Sequence, residues 1–289
     1  MINEARSTEL FQLAEKNHEL FDDIYITVPA RPHDGICIGL TQALSMWFAS
    51  GIKWMPLEDS MGGFVEVTRT KIALHFLRNR TEKYLLMIDN DTEPDLLLPY
   101  LLARNDVPVV GACIPSYSRH GREMLCFSRH DDCGVNRMID YSHGDKIPAT
   151  GLAEVPSIGT GAMMIRRDVL ESFTFGGIDS YNKAAEAISS NQPGTFSPEE
   201  LKDLVDADIP FFVPQHIRWN GAVQGVIMQG EDIVFCHKAR AKGFKVYADL
   251  EAHCMHRKTM KLAFPDELRD PSLRVEDWHA PKTGMAMSE

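Results

Sequence analysis

The chain has 289 residues, 44% of them hydrophobic, and a formal net charge of −11. That length and apolar content are enough to bury a sizeable core and exclude global disorder, while the acidic balance argues against passive docking on nucleic acid or an anionic membrane. No apolar run reaches the roughly 18 residues of a spanning helix, so a soluble protein is expected.

The first stretch, MINEARSTELFQLAEKNHELF, carries acids through its apolar positions and reads as an amphipathic helix rather than a secretion signal. IYITVP (24–29) reads as a buried strand, IGLTQALSMWFAS (38–50) as a helix closed by Gly51, and IKWMPLE (52–58) as a second strand. VEVTRTKIALHFL (65–77) predicts a helix with Val65, Ile72, Ala73, Phe76 and Leu77 on its buried face, followed by YLLMI (84–88), a strand apolar enough to be buried on both sides. Strand, helix, strand, helix, strand is the order of a parallel sheet with right-handed crossovers.

A helix is expected within 94–104, started by Pro94 or Pro99, and a strand at VPVVGACI (107–114). Residues 116–150 are polar and without a clean period, so they read as a surface excursion and a candidate lid over the site. VPSIGTGAMMIRRDVLESF (155–173) predicts a strand and a short helix, and SPEE a capped helix inside an insertion spanning 176–209. GEDIVFCHKARAKG (230–243) reads as a helix opened by two acids and closed by Gly243, leading to a strand at FKVYA and then EAHCMH (251–256). The six cysteines, Cys37, Cys113, Cys126, Cys133, Cys236 and Cys254, are scattered, most of them in apolar segments, and read as reduced thiols of a cytoplasmic protein.

Three clusters carry chemistry. Asp89-Asn90-Asp91 follows a fully apolar strand, at the end of a parallel sheet where ligands bind. Two residues apart on extended chain, the two carboxylates point the same way and need a compensating cation, for which a hard divalent ion held by carboxylates and substrate phosphates is the simplest choice. Glu231-Asp232 stands at a helix N-terminus, where acids also serve simply to complement the dipole. His253 and His256 close the last strand. Ahead of the acid pair, FFVPQHIRWNGAVQG (211–225) offers Trp219 and Asn220 as an acceptor platform, with Trp219 equally readable as a packing residue.

Together, IYITVPAR, IDNDTEPD, IGTGAMMIRRDVL and GEDIVFCHKARAKGFKVYADLEAHCMH resemble, in order and spacing, a nucleotide-sugar-dependent glycosyltransferase of the GT-A fold, family 2-like. The resemblance covers roughly residues 22–260 and implies an α/β, mostly parallel, Rossmann-like sheet flanked by helices, in one domain with acceptor-side insertions. Its implied layout is an N-terminal helix (1–21), a catalytic domain (22–263) with a nucleotide-binding half (22–115) and an acceptor half (150–263), and a tail (264–289). Asp89-Asn90-Asp91 matches the family's DxD, implying that Asp91 binds Mn²⁺ or Mg²⁺ bridging the donor diphosphate and that Asp89 contacts ribose or the metal shell. Glu231-Asp232 matches the ED pair, whose second acid is the general base, and His256 is the implied metal-completing histidine, with His253 as its competitor. Thr27, Pro29, Arg31, Glu58, Arg69, Asn90, Gly159 and Gly161 are the implied donor-binding positions, although Arg69-Thr70 stands where the family has Arg-Asn.

The implied reaction moves a sugar from a nucleoside-diphosphate sugar, UDP by the habit of the family, to an acceptor hydroxyl on a saccharide, a protein or a modified nucleic-acid base. It is inverting if Asp232 is the base; retaining enzymes share the scaffold. A nucleotidyltransferase would want a Gly-rich basic loop after the first strand, where ARPHDGICIG has one arginine and two glycines. A non-catalytic nucleotide-sugar-binding module remains a further reading. A zinc site at Cys126, His130 and Cys133, or at His253, Cys254 and His256, lacks paired CxxC knuckles.

Overall fold

A computed structural model describes residues 4–30, 35–58, 65–117, 123–130, 136–140, 144–173, 211–212, 215–219, 225–257, 261–262 and 269–275. Two helices, α1 (Glu4–Lys16) and α2 (His18–Asp22), lead into β1 (Ile24–Ala30), α3 (Ile38–Ala49), β2 (Lys53–Glu58), α4 (Val65–Asn79) and β3 (Tyr84–Ile88). Then come β4 (Thr92–Pro94), α5 (Leu98–Ala103), β5 (Val109–Cys113), β6 (Pro115–Tyr117), β7 (Glu123–His130), β8 (Asn136–Asp140), β9 (Ile147–Pro148), β10 (Leu152–Glu154), β11 (Ser157–Ile158), β12 (Ala162–Arg166) and α6 (Arg167–Glu171). The chain ends with β13 (Gln215–Trp219), β14 (Gly225–Gln229), α7 (Glu231–Ala241), β15 (Val246–Arg257), β16 (Lys261–Leu262) and β17 (Arg269–Asp270).

The central sheet runs β10-β15-β5-β12-β3-β1-β2, with β4 and β16 joined to the far end of β15. β1 pairs in parallel with β2 and β3, β15 pairs in parallel with β5, and β12 runs antiparallel between β3 and β5. The chain is therefore α/β, a mostly parallel, Rossmann-like sheet flanked by helices.

Alternation explains the two layers. Leu85 and Met87 of β3 face one side, with Ile72, Ala73 and Phe76 of α4, Val169 of α6 and Phe235 of α7. Tyr84, Leu86 and Ile88 face the other, with Leu10 of α1, Phe21 of α2, Leu40 and Trp47 of α3 and Leu98 of α5. A strand covered on both faces has no polar side, which is why YLLMI reads as continuous apolar sequence. Gly51 (φ 99°) and Gly243 (φ 88°) end α3 and α7 in the left-handed region.

Several expectations change. Val65, at the start of α4, is 37% exposed. Pro94 lies in β4, so α5 begins at Leu98 with Pro99 in its first turn. Residues 116–150 are not irregular throughout: β7 pairs with β6, β8 and β11 in a second, antiparallel sheet. EAHCMH is the second half of the twelve-residue β15 rather than a segment beyond a strand. The SPEE helix lies outside the described residues. Cys37, Cys113, Cys236 and Cys254 are free thiols, and no helix among the described residues is long and apolar enough to cross a membrane.

Candidate active site

β1, β3, β5 and β15 share one direction, and their carboxyl ends collect the candidate residues around the turn that follows β3. The Asp89 amide donates to the Gly161 carbonyl (3.0 Å), and the Thr92 amide donates to the Asp89 carbonyl (3.0 Å). Asn90 faces away: its side-chain amide donates to the Gly35 carbonyl (3.1 Å), and its own carbonyl accepts the Cys37 amide (2.9 Å). The turn is thus tied to β12 on one side and to the β1–α3 loop on the other.

Arg69 of α4 supplies a cation to Asp89. Its guanidinium donates to Asp89 Oδ1 at 2.6 Å and also to Glu231 Oε1, and it is only 4% exposed. Burial alone would lower its pKa, but the two carboxylates outweigh burial and raise it. Asp89 and Glu231, 142 positions apart in sequence, are held by one side chain.

Asp91 meets a different partner. His256 Nδ1 lies 3.1 Å from the Pro115 carbonyl, which only accepts, so Nδ1 carries the proton. The opposite nitrogen, Nε2, lies 3.2 Å from Asp91 Oδ2. A lone pair facing a carboxylate oxygen needs either a second proton or a cation between them. A backbone carbonyl orienting the far nitrogen is the arrangement metal-bound histidines use, so the chemistry of Asp91 and His256 fits two ligands of a divalent ion. Among the described residues no group of three or more His, Cys, Asp or Glu side chains is placed to hold a metal.

Asp232 stands in the first turn of α7, its Oδ1 accepting the Ile233 amide at 2.8 Å. A β-carbon at Gly230 would lie 2.7 Å from that oxygen, so a side chain there would push the Asp232 carboxylate aside. Burial, and then the neighbouring Glu231 charge, push the Asp232 pKa up to about 6. Near neutral pH it is a carboxylate with real affinity for a proton, whereas Glu231 is committed to Arg69.

Thr27 and Pro29 are buried in β1, and Thr27 Oγ1 has no hydrogen-bond partner among the described residues. Gly161 is packed so that a β-carbon would meet Ile114 Cδ1 at 2.8 Å and Thr92 Oγ1 at 3.5 Å. Gly159 lies between β11 and β12. Glu58 pairs across from Ala30 through its backbone, and Trp219 pairs with Gly225 in the β13–β14 hairpin. The side chains of Glu58 and Trp219, and all of Arg31 and Asn220, lie outside what is described. His253 Nδ1 is 2.9 Å from the Glu251 carbonyl. The sequence reading missed Asp249 and Arg104, which pair at 3.3 Å; with the strand read as ending at FKVYA, nothing in the sequence marked them.

No family model matches the chain, and no curated protein matches it significantly. Among solved structures, A197 from STIV is similar over 81% of this chain and 85% of its own, at 17% identity and a TM-score of 0.47. GalNAc-T7, solved with UDP, GalNAc and Mn²⁺, is similar over 83% of this chain at 12% identity and a TM-score of 0.39, and the chain spans 38% of that structure's length. HddC from Yersinia pseudotuberculosis is similar over 86% of this chain, at 9% identity and a TM-score of 0.28.

Proposed function

We propose that the chain is a metal-dependent glycosyltransferase that moves a sugar from a nucleoside-diphosphate sugar, UDP-linked by preference, to an acceptor hydroxyl. The observation that carries this reading is the division of labour among four acids at one end of the sheet. Asp89 and Glu231 share the Arg69 guanidinium, Asp91 faces His256 Nε2, and Asp232 sits in the site with its proton affinity raised. Asp91 and His256 would hold Mn²⁺ or Mg²⁺, which when bound offsets the charge that develops on the departing diphosphate.

Asp232 would accept the proton of the acceptor hydroxyl as its oxygen bonds to the anomeric carbon. The bond from that carbon to the diphosphate oxygen breaks on the opposite face, and its electron pair leaves with the nucleoside diphosphate. The outcome is inversion. A base whose pKa is about 6 is ionised at neutral pH and still basic enough to help, the match general-base catalysis requires. Glu231, paired to Arg69, fixes the start of α7 beside the turn after β3 and so sets where Asp232 stands. The saccharide is the leading acceptor class, with a protein or modified base as the others.

Thermal melting with UDP, GDP and CMP and their sugars, each with Mn²⁺, Mg²⁺ or EDTA, tests this, because a ligand that binds only the folded state raises its melting temperature. A shift with one nucleoside diphosphate, dependent on metal and lost in Asp91→Ala, is expected. A shift that persists in EDTA and in Asp91→Ala sinks the metal-bridged donor.

A further inference from the structure

His256 reaches Asp91 only because β15 changes partners halfway along its length. Up to Asp249 the strand pairs in parallel with β5, Asp249 opposite Ala112, and the next pair is His253 opposite Cys113. Three residues of β15, Leu250, Glu251 and Ala252, therefore stand against none of β5. Beyond this bulge β15 pairs antiparallel with β4, Cys254 opposite Pro94, Met255 opposite Glu93 and His256 opposite Thr92. The Arg257 amide then donates to the Asp91 carbonyl at 2.7 Å.

A bulge of this kind removes backbone donors from the ladder, and each needs another acceptor. The Leu250 amide donates to the Gly151 carbonyl at 2.9 Å. The Glu251 and Ala252 amides both donate to Asp249 Oδ1, at 3.0 and 3.3 Å. Every displaced amide is accounted for, two of them by one carboxylate. That carboxylate is fully buried and is fixed from behind, with Arg104 Nη2 and Asn105 Nδ2 each donating to Oδ2 at 3.3 Å. Arg104 is the residue that ends α5, so α5, the bulge and the strand switch are locked together.

We infer that Asp249 is a positioning residue for the candidate site: its carboxylate builds the bulge that carries β15 from β5 to β4 and delivers His256 to Asp91. It touches neither Asp91 nor His256 and acts through the strand between them. An asparagine at this position would keep an acceptor for the two amides but present a donor to Arg104 and Asn105, so Asp249→Asn loosens the anchor while leaving the bulge bonds possible. Arg104→Met removes the charged partner and no backbone acceptor.

The inference rests on the proposed function only for the identity of the ligand, so the test has one readout without any ligand. In full-length protein labelled with ¹⁵N-histidine, free of metal and nucleotide, the ring nitrogens report whether His256 Nδ1 holds a hydrogen-bonded proton, the signal being assigned by its loss in His256→Asn. Wild type is expected to show that proton. In Asp249→Asn it is expected to be lost or exchange-averaged while the signals of His18 and His75, in α1–α2 and α4, stay in place. Mn²⁺ titrated with UDP is expected to bind at least about tenfold more weakly, the cost of disturbing an outer-shell partner. A folded Asp249→Asn protein with an unchanged His256 signal overturns the inference. If that variant does not fold, Arg104→Met decides by the same signal, altered in support and unaltered against. Failure of wild type to bind Mn²⁺ with UDP would count against the donor assignment alone and leave the His256 readout standing.

Discussion

Asp89 and Asp91 stand two positions apart on one turn, yet they are balanced by different means. Asp89 is held by a permanent cation, the buried Arg69 guanidinium, which it shares with Glu231. Asp91 faces the Nε2 nitrogen of His256 at 3.2 Å, a partner with no permanent charge. A fixed partner suits a carboxylate whose task is to keep two elements in register, since the arrangement does not depend on what is bound. An exchangeable partner suits a carboxylate whose task is to receive a ligand. Asp232 extends the second group: it accepts its own helix amide but forms no ion pair among the described residues, and its pKa rises to about 6 as a result of burial first and the Glu231 charge second.

The largest expected effect separates the two acids of α7. Asp232→Asn should lower turnover by about 10²–10⁴-fold, the usual contribution of a general base, while leaving metal-dependent UDP binding within a factor of a few. Near-wild-type turnover in this variant would falsify the assignment of Asp232 as base. Glu231→Gln, which keeps the length of the side chain but gives up its charge against Arg69, should weaken folding along with turnover.

Next comes the fixed cation. Arg69→Met leaves the Asp89 and Glu231 carboxylates close together without their guanidinium, and breaking a buried pair in this way costs about 3–5 kcal/mol. Denaturant titration should show that loss, with Arg69→Lys recovering only part of it because an ammonium cannot present the two-pronged fork that serves both acids. A loss below about 1 kcal/mol in Arg69→Met would show that solvent already balances these acids and would erase the contrast with Asp91.

The turn after β3 shows where sequence stops being informative. Its strand, its two acids and its place at the end of a parallel sheet follow from local pattern, because a strand buried on both faces is written in consecutive apolar residues. The Arg69 partnership does not follow, since a cation 20 positions before Asp89 and 162 before Glu231 is brought to them only by the packing of α4 and α7 on the same face of the sheet. The bulge in β15 is hidden for a similar reason: Asp249 looks like the end of a strand, and only the backbone amides it accepts show that the strand continues to His256. β7 and β8 escaped notice because their sequences mix polar and apolar residues without the alternation that marks a half-buried strand.

A smaller effect distinguishes the roles of Asp232 by pH. Its folded pKa of about 6 lies above the ordinary value of 3.8, so the folded state holds the proton more tightly than the unfolded chain. Stability is therefore greatest below the ordinary value, falls as pH rises toward about 6, and is level beyond it. At about 1.4 kcal/mol per pH unit, the loss amounts to roughly 3 kcal/mol. Asp232→Asn, which mimics the protonated form, should be more stable than wild type at pH 8 by up to that amount, the difference closing as pH falls below the ordinary value of 3.8. Equal stability at pH 8 and below pH 3.8 would mean that the site leaves Asp232 as solvated as an ordinary surface acid.

The smallest effect calibrates the others, because it uses the same chemistry where water can reach it. Arg166 and Asp168 form a two-pronged pair, Nε to Oδ1 at 2.7 Å and Nη2 to Oδ2 at 2.8 Å, better formed than the bonds of Arg69 in everything but burial. The Asp168 side chain is 49% exposed, however, and its pKa is lowered chiefly by the Arg166 hydrogen bond. Its contribution is present above the ordinary value of 3.8 and is lost as pH falls through the lower folded value. Solvent screens such a pair to about 1 kcal/mol or less, so Asp168→Asn should lower the melting temperature by no more than about 2–4 °C at neutral pH. Donor binding and turnover should be unaffected, because α6 carries no group to the site. If Asp168→Asn cost as much as Arg69→Met, burial would not be what sets the weight of an ion pair in this chain, and the division between permanently and exchangeably balanced acids would lose its physical basis.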